Sequence, residues 1–302
     1  MFVEIRKQGK VRKQYLVHTY RVGGKVKRIS RYLGSGLDAI SLQKARIKAE
    51  LHVLEQMKEK SAYAYELTPE DIKIYKKYDQ NLKIEHLQNV DWERFTKEFT
   101  YNTNAIEGST VAYKEVEALI EKKEPPQNDE EQETINMAGA IAYIKTTKES
   151  FSVPMILKLH ELCFKGTKPF AGKLRTVDVV IRDAQGHIIH HGAPYKQVQK
   201  LLQELVGWYD KHKKKYPALL LAALVHNQFE NIHPFQDGNG RVGRLLLNYV
   251  LLSHDHPPLN VRLTDRKQYY SRLHAFDQTG SILPTLKFLR AQYKKQYRGL
   301  RK

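Results

Sequence analysis

The stretch His233–Arg244, HPFQDGNGRVGR, holds far more polar chemistry than a turn between two helices requires. The segments on either side, AALVHNQFENI and RLLLNYVLL, are rich in apolar residues and predict two buried helices joined by this polar loop. Gly238-Asn239-Gly240 would open the second helix, where free backbone N–H groups and the helix dipole favour an anion. The stretch therefore predicts a mainly α-helical protein with an anion site between two core helices.

The charged side chains of the loop suit phosphate chemistry. Arg241 and Arg244 lie about one helical turn apart, so both would add donors to the same face. Asp237 would repel a bare phosphate, but it fits a site in which Mg²⁺ is bound by a carboxylate together with substrate phosphates. His233 is placed to act as a general base or as a nucleophile. The combination indicates phosphoryl or nucleotidyl transfer, and a plain Gly-Asn helix cap would leave these side chains without a role.

The composition is that of a soluble globular protein, with 302 residues of which 41% are hydrophobic and 28% charged. The most apolar run, PALLLAALV at 217–225, is too short to cross a bilayer and predicts a buried core helix. The N-terminus lacks the apolar segment of a secretory signal, so we expect a cytoplasmic protein without a membrane partner. Cys163 is the only cysteine; its apolar helical setting predicts a buried core thiol rather than a nucleophile.

The net charge of +18 is concentrated at the two ends of the chain. Residues 1–30 hold nine Lys and Arg against the single Glu4, and residues 285–302 hold seven Lys and Arg and no acid. Basic surfaces favour phosphate backbones, so nucleic acid is a candidate partner of the N-terminal residues and of the C-terminal tail. A solvated basic face and a protein-docking appendage are the alternatives.

The first 33 residues alternate with period two, with turn signals at Gly9 and Gly23-Gly24, and predict a small antiparallel sheet of two or three strands. A helix from about residue 41 to residue 60 would cover this sheet. From residue 67 onward the pattern is mostly helical. We therefore divide the chain into a basic β-rich N-terminal unit, residues 1–60, and a helical region, residues 61–302.

Within the helical region, residues 172–194 break the helical pattern. The runs VDVVI and HIIH flank Asp183-Ala-Gln-Gly186, which predicts a β-hairpin beside the polar loop. His187, His190 and His191 would lie on this hairpin. A metal site there is disfavoured because no nearby cysteine or acid completes a tetrahedral ligand set.

The stretch His233–Arg244 resembles the signature of Fic-domain proteins, HPFx[D/E]GN[G/K]RxxR, at every fixed position. The hairpin with its GKLR segment resembles the flap of that family, and TDRKQYYSRLHAFDQTGSILPTLKFL resembles its closing helices. The resemblance covers about residues 67–289. It implies a Fic-type helical bundle with a flap near residues 172–194 and a core motif at residues 233–244, preceded by the basic β-rich unit, which lies outside the resemblance.

The resemblance implies a protein adenylyltransferase, which transfers AMP from ATP to a Ser, Thr or Tyr hydroxyl of a target protein in the presence of Mg²⁺. By matching position, His233 would be the catalytic base and Asp237 would bind Mg²⁺. The remaining matched positions would bind the nucleotide: Phe235 anchors the loop, Gly238, Asn239 and Gly240 form an anion hole, Arg241 and Arg244 hold the β- and γ-phosphates, and Tyr270 stacks on adenine.

Two positions bear on the choice of reaction and nucleotide. Family members with Lys at the position of Gly240 can act as kinases, so the glycine favours AMP transfer. Asp277 replaces an Asn often found near the adenine, which leaves the preference among nucleotides open.

The segment TNAIEGST, residues 103–110, has the pattern of a helix end with Gly108 at its C-terminal cap. Glu107 in the last turn opposes the helix dipole, so the carboxylate is either solvated or paired with a cation elsewhere. The pattern Thr103-xxx-Glu107-Gly108 resembles the inhibitory motif [ST]xxxE[GN] of autoinhibited Fic proteins. This implies an inhibitory helix near residues 103–108, in which Glu107 pairs with Arg244 and prevents correct seating of ATP.

Two further functions stay open on the sequence alone. The same site could remove AMP from a modified protein, with Glu107 positioning a water molecule. Alternatively, the chain is a nucleic-acid-binding regulator in which the Fic fold is vestigial, or the basic ends bring a working enzyme to a nucleic-acid-bound target. A homodimer is one candidate assembly.

Overall fold

The computed structural model describes residues 1–9, 11–22, 25–61, 67–79, 90–182 and 188–297. The strands are β1 (Phe2–Gln8), β2 (Val11–Val22), β3 (Lys25–Ser35), β4 (Val180–Arg182) and β5 (Ile188–His191). The helices are α1 (Ala39–Ser61), α2 (Pro69–Asp79), α3 (Trp92–Ile106), α4 (Tyr113–Glu121), α5 (Asp129–Thr146), α6 (Val153–Phe164), α7 (Val198–His212), α8 (Ala218–Ile232), α9 (Asn239–Leu252), α10 (Arg266–Thr279) and α11 (Leu283–Gln296). The mainly α-helical class with a small N-terminal sheet is confirmed.

The N-terminal unit is an antiparallel sheet in the order β1-β2-β3, covered on one face by α1. Leu16 and Ile29 of the sheet pack against Ala49 and Val53 of the helix, because alternate residues of a strand point to the same face. The turn predicted at Gly23-Gly24 lies outside the described residues. The predicted sheet and its covering helix are both confirmed.

The core of the helical region is built around α8 and α9, which pack against each other along their length. Every side chain from 218 to 225 is buried, as the apolar run predicts. Cys163 on α6 is 1% exposed and belongs to the same core, so it is a buried thiol whose pKa is raised to about 12 by burial. Among the described residues, every helix is too short or too polar to span a bilayer.

Three elements surround the polar loop that joins α8 to α9. The last turn of α3 reaches the start of α9, and α10 packs against α8. The hairpin of β4 and β5 is antiparallel, with Val180 opposite His191, and its strands confirm the predicted β-hairpin; its role as a flap stays a prediction. The predicted turn at Asp183–Gly186 lies outside the described residues, as does His187. In the part of the chain that the structure describes, no group of three His, Cys, Asp or Glu side chains could hold a metal ion.

Candidate active site

The loop between α8 and α9 is fixed by Asn239. Its Oδ1 accepts the backbone N–H of Phe235 at 2.8 Å, and its Nδ2 donates to the Phe235 carbonyl at 2.8 Å. Phe235 is fully buried, as expected for an anchor. Both polar atoms of the Asn239 side chain thus bond within the loop, and its backbone N–H lies at the first position of α9, where no intrahelical acceptor is available.

His160 on α6 packs against the loop and is hydrogen-bonded to it. Its ring stacks on Phe235 with centroids 3.8 Å apart, and its Nδ1 accepts the N–H of Gly172 at 2.9 Å. Because Nδ1 is an acceptor, Nε2 carries the hydrogen and donates to the Asp237 carbonyl at 3.1 Å. Burial lowers the pKa of His160 to about 4, so the ring is neutral at pH 7. The sequence around His160 is that of an apolar helix and does not indicate that His160 contacts the loop.

Arg175 joins the flap region to the loop. It is 5% exposed, and its Nε donates to the His233 carbonyl at 2.7 Å while Nη2 donates to the Ala193 carbonyl. His233 has a positive φ of 52°, which ends α8 in the left-handed conformation and turns its carbonyl away from the helix. Arg175 therefore holds the backbone of His233 in a conformation that few non-glycine residues adopt.

Two glycines of the motif lie close to side chains of other elements. Gly238 has φ +79°, and a Cβ there would overlap the ring of Phe164. Gly240 lies in the first turn of α9, and a Cβ there would overlap the carboxylate of Glu107. The second glycine therefore leaves the space that the Glu107 side chain occupies.

Arg244 is 1% exposed and is held by the end of α3. Its Nε donates to Thr103 Oγ1 at 2.7 Å, and its Nη2 donates to the Thr103 carbonyl at 3.0 Å and to Glu107 Oε1 at 2.7 Å. Burial alone would lower the pKa of Arg244, but the Glu107 carboxylate reverses this and the net direction is upward. Gly108, at φ +103°, ends the helix just after Glu107, as the C-terminal cap predicts.

Arg241 has a carboxylate partner that the sequence did not suggest. Its Nη1 donates to Oε2 of Glu133 on α5, and its Nη2 lies 3.4 Å from Asp237 Oδ2. Its guanidinium lies over the ring of Phe164, 4.2 Å from the centroid. Both arginines of the motif are therefore paired with glutamates, since Arg244 is paired with Glu107.

A cavity of about 460 Å³ opens at the start of α9 between the flap and α10. Ligand pockets of this volume accommodate a nucleotide-sized molecule. Tyr270 forms part of the wall, with its hydroxyl 3.5 Å from Glu107 Oε1. The wall brings together these residues of the predicted site: His233, Asp237, Gly238, Asn239, Gly240, Tyr270 and Glu107. Phe235, Arg241, Arg244 and Thr103 lie behind this wall and support it.

The side chain of Asp237 is compatible with Mg²⁺. It is half exposed at the cavity; Oδ1 accepts the N–H of Gly238 at 2.6 Å, and Oδ2 lies near Arg241. Mg²⁺ keeps several water ligands and is commonly held by one or two carboxylates plus substrate phosphates. A single carboxylate beside an anion site therefore fits an ion that the substrate helps to bind.

Glu230, in the last turn of α8, is a further titratable group of the cavity that the sequence analysis missed. Burial raises the pKa of this carboxyl to about 8, with Arg244 opposing the shift and Glu107 adding to it. Its Oε1 is buried without a hydrogen-bond partner among the described residues. Glu230 therefore keeps its proton at neutral pH.

Replacing Glu230 with Gln should make the free energy of unfolding less dependent on pH. The native state retains a proton that the unfolded chain releases above about pH 4.5, so the wild type loses stability as pH rises from about 4.5 to about 8. Between pH 5 and pH 8 we expect Glu230→Gln to gain about 3 kcal/mol over the wild type in free energy of unfolding. Urea unfolding at both pH values measures the difference. Glu161 is exposed, so Glu161→Gln is the matched control. If the free energy of unfolding of Glu230→Gln changed with pH in parallel with that of the wild type, Glu230 would not be protonated in the native state.

Comparison with known proteins agrees with this geometry. Residues 150–251 match the Fic/DOC family. The chain is 30% identical over 198 residues to the protein adenylyltransferase Fic of Nematostella vectensis, covering 63% of this chain and 45% of that protein. It is 28% identical over 201 residues to the protein adenylyltransferase fic-1 of Caenorhabditis elegans, covering 63% of this chain and 38% of that protein. The chain thus spans less than half the length of these two relatives.

Two solved structures share the fold. A Fic-domain-containing signaling protein from Bacteroides thetaiotaomicron has a TM-score of 0.63 at 25% identity, covering 82% of this chain and 92% of that one. Fic-1 from C. elegans has a TM-score of 0.60 at 21% identity, covering 87% of this chain and 76% of that one. The fold around the loop is thus shared with Fic proteins, and the match to the Fic/DOC family covers residues 150–251, which include the loop.

Proposed function

We propose that the chain is a protein adenylyltransferase that moves AMP from ATP to a hydroxyl side chain of a target protein. One observation carries the proposal: His233 shares a cavity with the backbone of Gly238–Gly240 at the start of α9. A general base then stands beside an anion site, which is the arrangement that nucleotidyl transfer requires. The names of the relatives support the same reaction.

In the proposed reaction, His233 takes the proton of the target hydroxyl, and the hydroxyl oxygen forms a bond to the α-phosphorus of ATP. The bond from that phosphorus to the bridging oxygen breaks, and pyrophosphate leaves. The N–H groups at the start of α9 stabilise the charge on the α-phosphate. Tyr270 stacks on the adenine ring of ATP. Mg²⁺, bound by Asp237 and the phosphates, would neutralise phosphate oxygens when present.

The Glu107–Arg244 contact would inhibit this reaction. ATP places its γ-phosphate near Arg244 only if Arg244 is free to bind it, and the guanidinium is already held by Glu107 and Thr103. The side chain of Glu107 also fills the space beside Gly240. A triphosphate therefore meets a carboxylate where its terminal phosphate should bind, and like charges repel.

The position of the label in ATP tests the proposed reaction. With Mg²⁺ and a chain carrying Glu107→Gly, we expect ATP labelled at the α-phosphate to label protein, including the chain itself, and ATP labelled at the γ-phosphate to leave it unlabelled. Transfer of the γ-label would show kinase activity instead. A protein that already carries labelled AMP tests the reverse reaction. If wild type released the labelled AMP and Glu107→Gly did not, the AMP-removing reaction would be favoured.

A second candidate role, binding of single-stranded nucleic acid, is favoured by the sheet face opposite α1. Tyr15 and Tyr32 form an aromatic pair there with centroids 5.3 Å apart, and Arg6 lies 4.3 Å from the Tyr15 centroid. Tyr32 is 54% exposed. Aromatic side chains flanked by cations provide stacking platforms for unpaired bases, although Glu4 pairs with Arg6 and weakens its charge.

Arg6→Ala and Tyr32→Ala together test this role in the full chain. We expect the wild type to bind a single-stranded oligonucleotide with an affinity that falls as salt rises, and the double variant to bind at least about tenfold more weakly, because one base stack contributes ~1–3 kcal/mol. Fluorescence anisotropy at two salt concentrations measures both effects. Lys148→Ala, an exposed loop substitution, is the matched control. Equal binding by the double variant and the control would contradict a nucleic-acid role for this face.

A further inference from the structure

Asp277 and His190 form a pair across the mouth of the cavity. His190 belongs to β5 of the flap and Asp277 to α10, and His190 Nδ1 lies 2.7 Å from Asp277 Oδ2. The other oxygen, Oδ1, accepts a hydrogen bond from Nδ2 of Asn231 on α8 at 2.6 Å. Three elements thus converge on one carboxylate, which is 21% exposed. A carboxylate held in this way is an acceptor of fixed position.

The contact with Asp277 uses one nitrogen of His190, whose ring lies beside that of His233. Because Asp277 is an acceptor, His190 Nδ1 carries a hydrogen and its other nitrogen, Nε2, is left for a further interaction. Nε2 is buried and has no hydrogen-bond partner among the described residues. The ring of His233 is the neighbouring imidazole, with centroids 5.7 Å apart and planes tilted by 54°. Both histidines line the cavity.

We propose that Asp277 and His190 are positioning residues that act through His233. Asp277 fixes the orientation of His190, and the pair stabilises the positive charge that His233 acquires when it takes the proton of the target hydroxyl. The inference rests on the proposed function. The pair gains and loses no proton in this step: the O–H bond of the target breaks, the proton passes to His233, and pyrophosphate leaves from the α-phosphorus. A base oriented by a second group, which is in turn oriented by a carboxylate, is a general arrangement in catalysis.

Other charges face the same cavity and must be separated from the effect of Asp277. Acidic groups reach it from α3, α8 and the loop, and basic and phenolic groups reach it from α10; Arg244 lies behind the wall beside Glu107. The groups that line the cavity are Glu107, Glu230, Asp237, Arg266, Tyr270 and His274. Asp277→Asn removes one charge, preserves the shape of the side chain and leaves all these groups in place. The substitution therefore isolates the contribution of the carboxylate.

An NMR titration of the His233 ring in the full chain tests the proposal without relying on activity. Asp277 pairs with His190, whose ring centroid lies 5.7 Å from that of His233. Removal of this anion should destabilise the protonated His233 ring, so we expect its titration midpoint to move to lower pH by about 0.5–1 unit in Asp277→Asn. Asp255→Asn, which removes an exposed carboxylate at the far end of α9, should leave the midpoint unchanged. Asp277→Ser is a second neutral variant, used if Asp277→Asn does not fold. An unchanged midpoint in the neutral variant would overturn the proposal.

Kinetics in the Glu107→Gly background supply the second readout. The acid limb of the kcat/KM profile should move to lower pH with Asp277→Asn, with a fall in kcat at pH 7 of up to about tenfold, because a less basic His233 is a weaker general base. If activity falls without any shift of the acid limb, the pair only ties the flap to α10 and the proposal is wrong. If Glu107→Gly alone transfers no AMP, the proposed function fails, while the NMR titration still decides the role of the pair.

Discussion

Glu107→Gly is expected to raise the rate of AMP transfer by about 10- to 150-fold, because a charge-assisted hydrogen bond of this kind contributes roughly 1.5–3 kcal/mol. The substitution removes the carboxylate partner of Arg244, which is 1% exposed and stays hydrogen-bonded to Thr103. It also removes the side chain that fills the space beside Gly240, where a triphosphate would bind. Transfer of α-labelled AMP at fixed ATP and Mg²⁺ measures the change.

The control for this prediction is Glu124→Gly, which removes an exposed glutamate from the loop before α5 without touching Arg244. We expect wild-type rates from this control. Glu107→Gly also removes a residue at a helix end, so its thermal unfolding should be compared with that of the control. An equally folded Glu107→Gly chain that transfers AMP no faster than wild type would rule out inhibition by the Glu107–Arg244 contact.

Replacement of His233 by Ala in the Glu107→Gly chain is expected to lower transfer by about 10²–10⁴-fold, which is the usual contribution of a general base. The backbone of the loop should survive, because its hydrogen bonds run through the carbonyl of residue 233 to Arg175 and through Asn239 to Phe235. ATP affinity should therefore stay within a few-fold of the parent. Isothermal titration with ATP and the labelling assay together separate binding from chemistry.

His52→Ala is the matched control for the histidine substitution, since His52 is exposed on α1. This variant should transfer AMP at the parent rate. If His233→Ala retained more than about a tenth of the parent rate while binding ATP normally, another group would be the base, and His190 would be the first one to examine.

The sequence was sufficient to predict the loop and the helices around it. A polar run between two apolar helical segments predicts a turn within a core, and Gly238 is indeed a position where a side chain would overlap the ring of Phe164. The pairing of Glu107 with Arg244 was also predicted, but only through the resemblance; the residues alone left a solvated glutamate as an equal alternative.

The supporting residues could not be predicted because they come from distant parts of the chain. Glu133 meets Arg241 from α5, His160 stacks on Phe235 from α6, and Arg175 reaches His233 from the flap region. Each pairing depends on how helices pack, which local spacing does not encode. The same holds for His190: the sequence showed a histidine-rich hairpin, and only the packing of α10 against the flap gives it a carboxylate partner.

Asn239 closes the loop through its side-chain amide, which bonds to the backbone of Phe235, and the local pattern did not predict this. The reason is geometric: the first residue of α9 lies four residues after Phe235, so its amide reaches the backbone that leads into the turn. The part that the resemblance gives to Asn239 in an anion hole stays a prediction; the N–H groups of such a site would depend on the conformation that Asn239 holds.

The central claim is that this loop transfers AMP and that Glu107 restrains it by occupying Arg244. Incubation with α-phosphate-labelled ATP and Mg²⁺ of three chains, wild type, Glu107→Gly and Glu107→Gly with His233→Ala, tests it most directly. We expect weak labelling of protein by wild type, strong labelling by Glu107→Gly and loss of labelling in the double variant. Absence of labelling in all three chains, with target proteins from a lysate present, would contradict it.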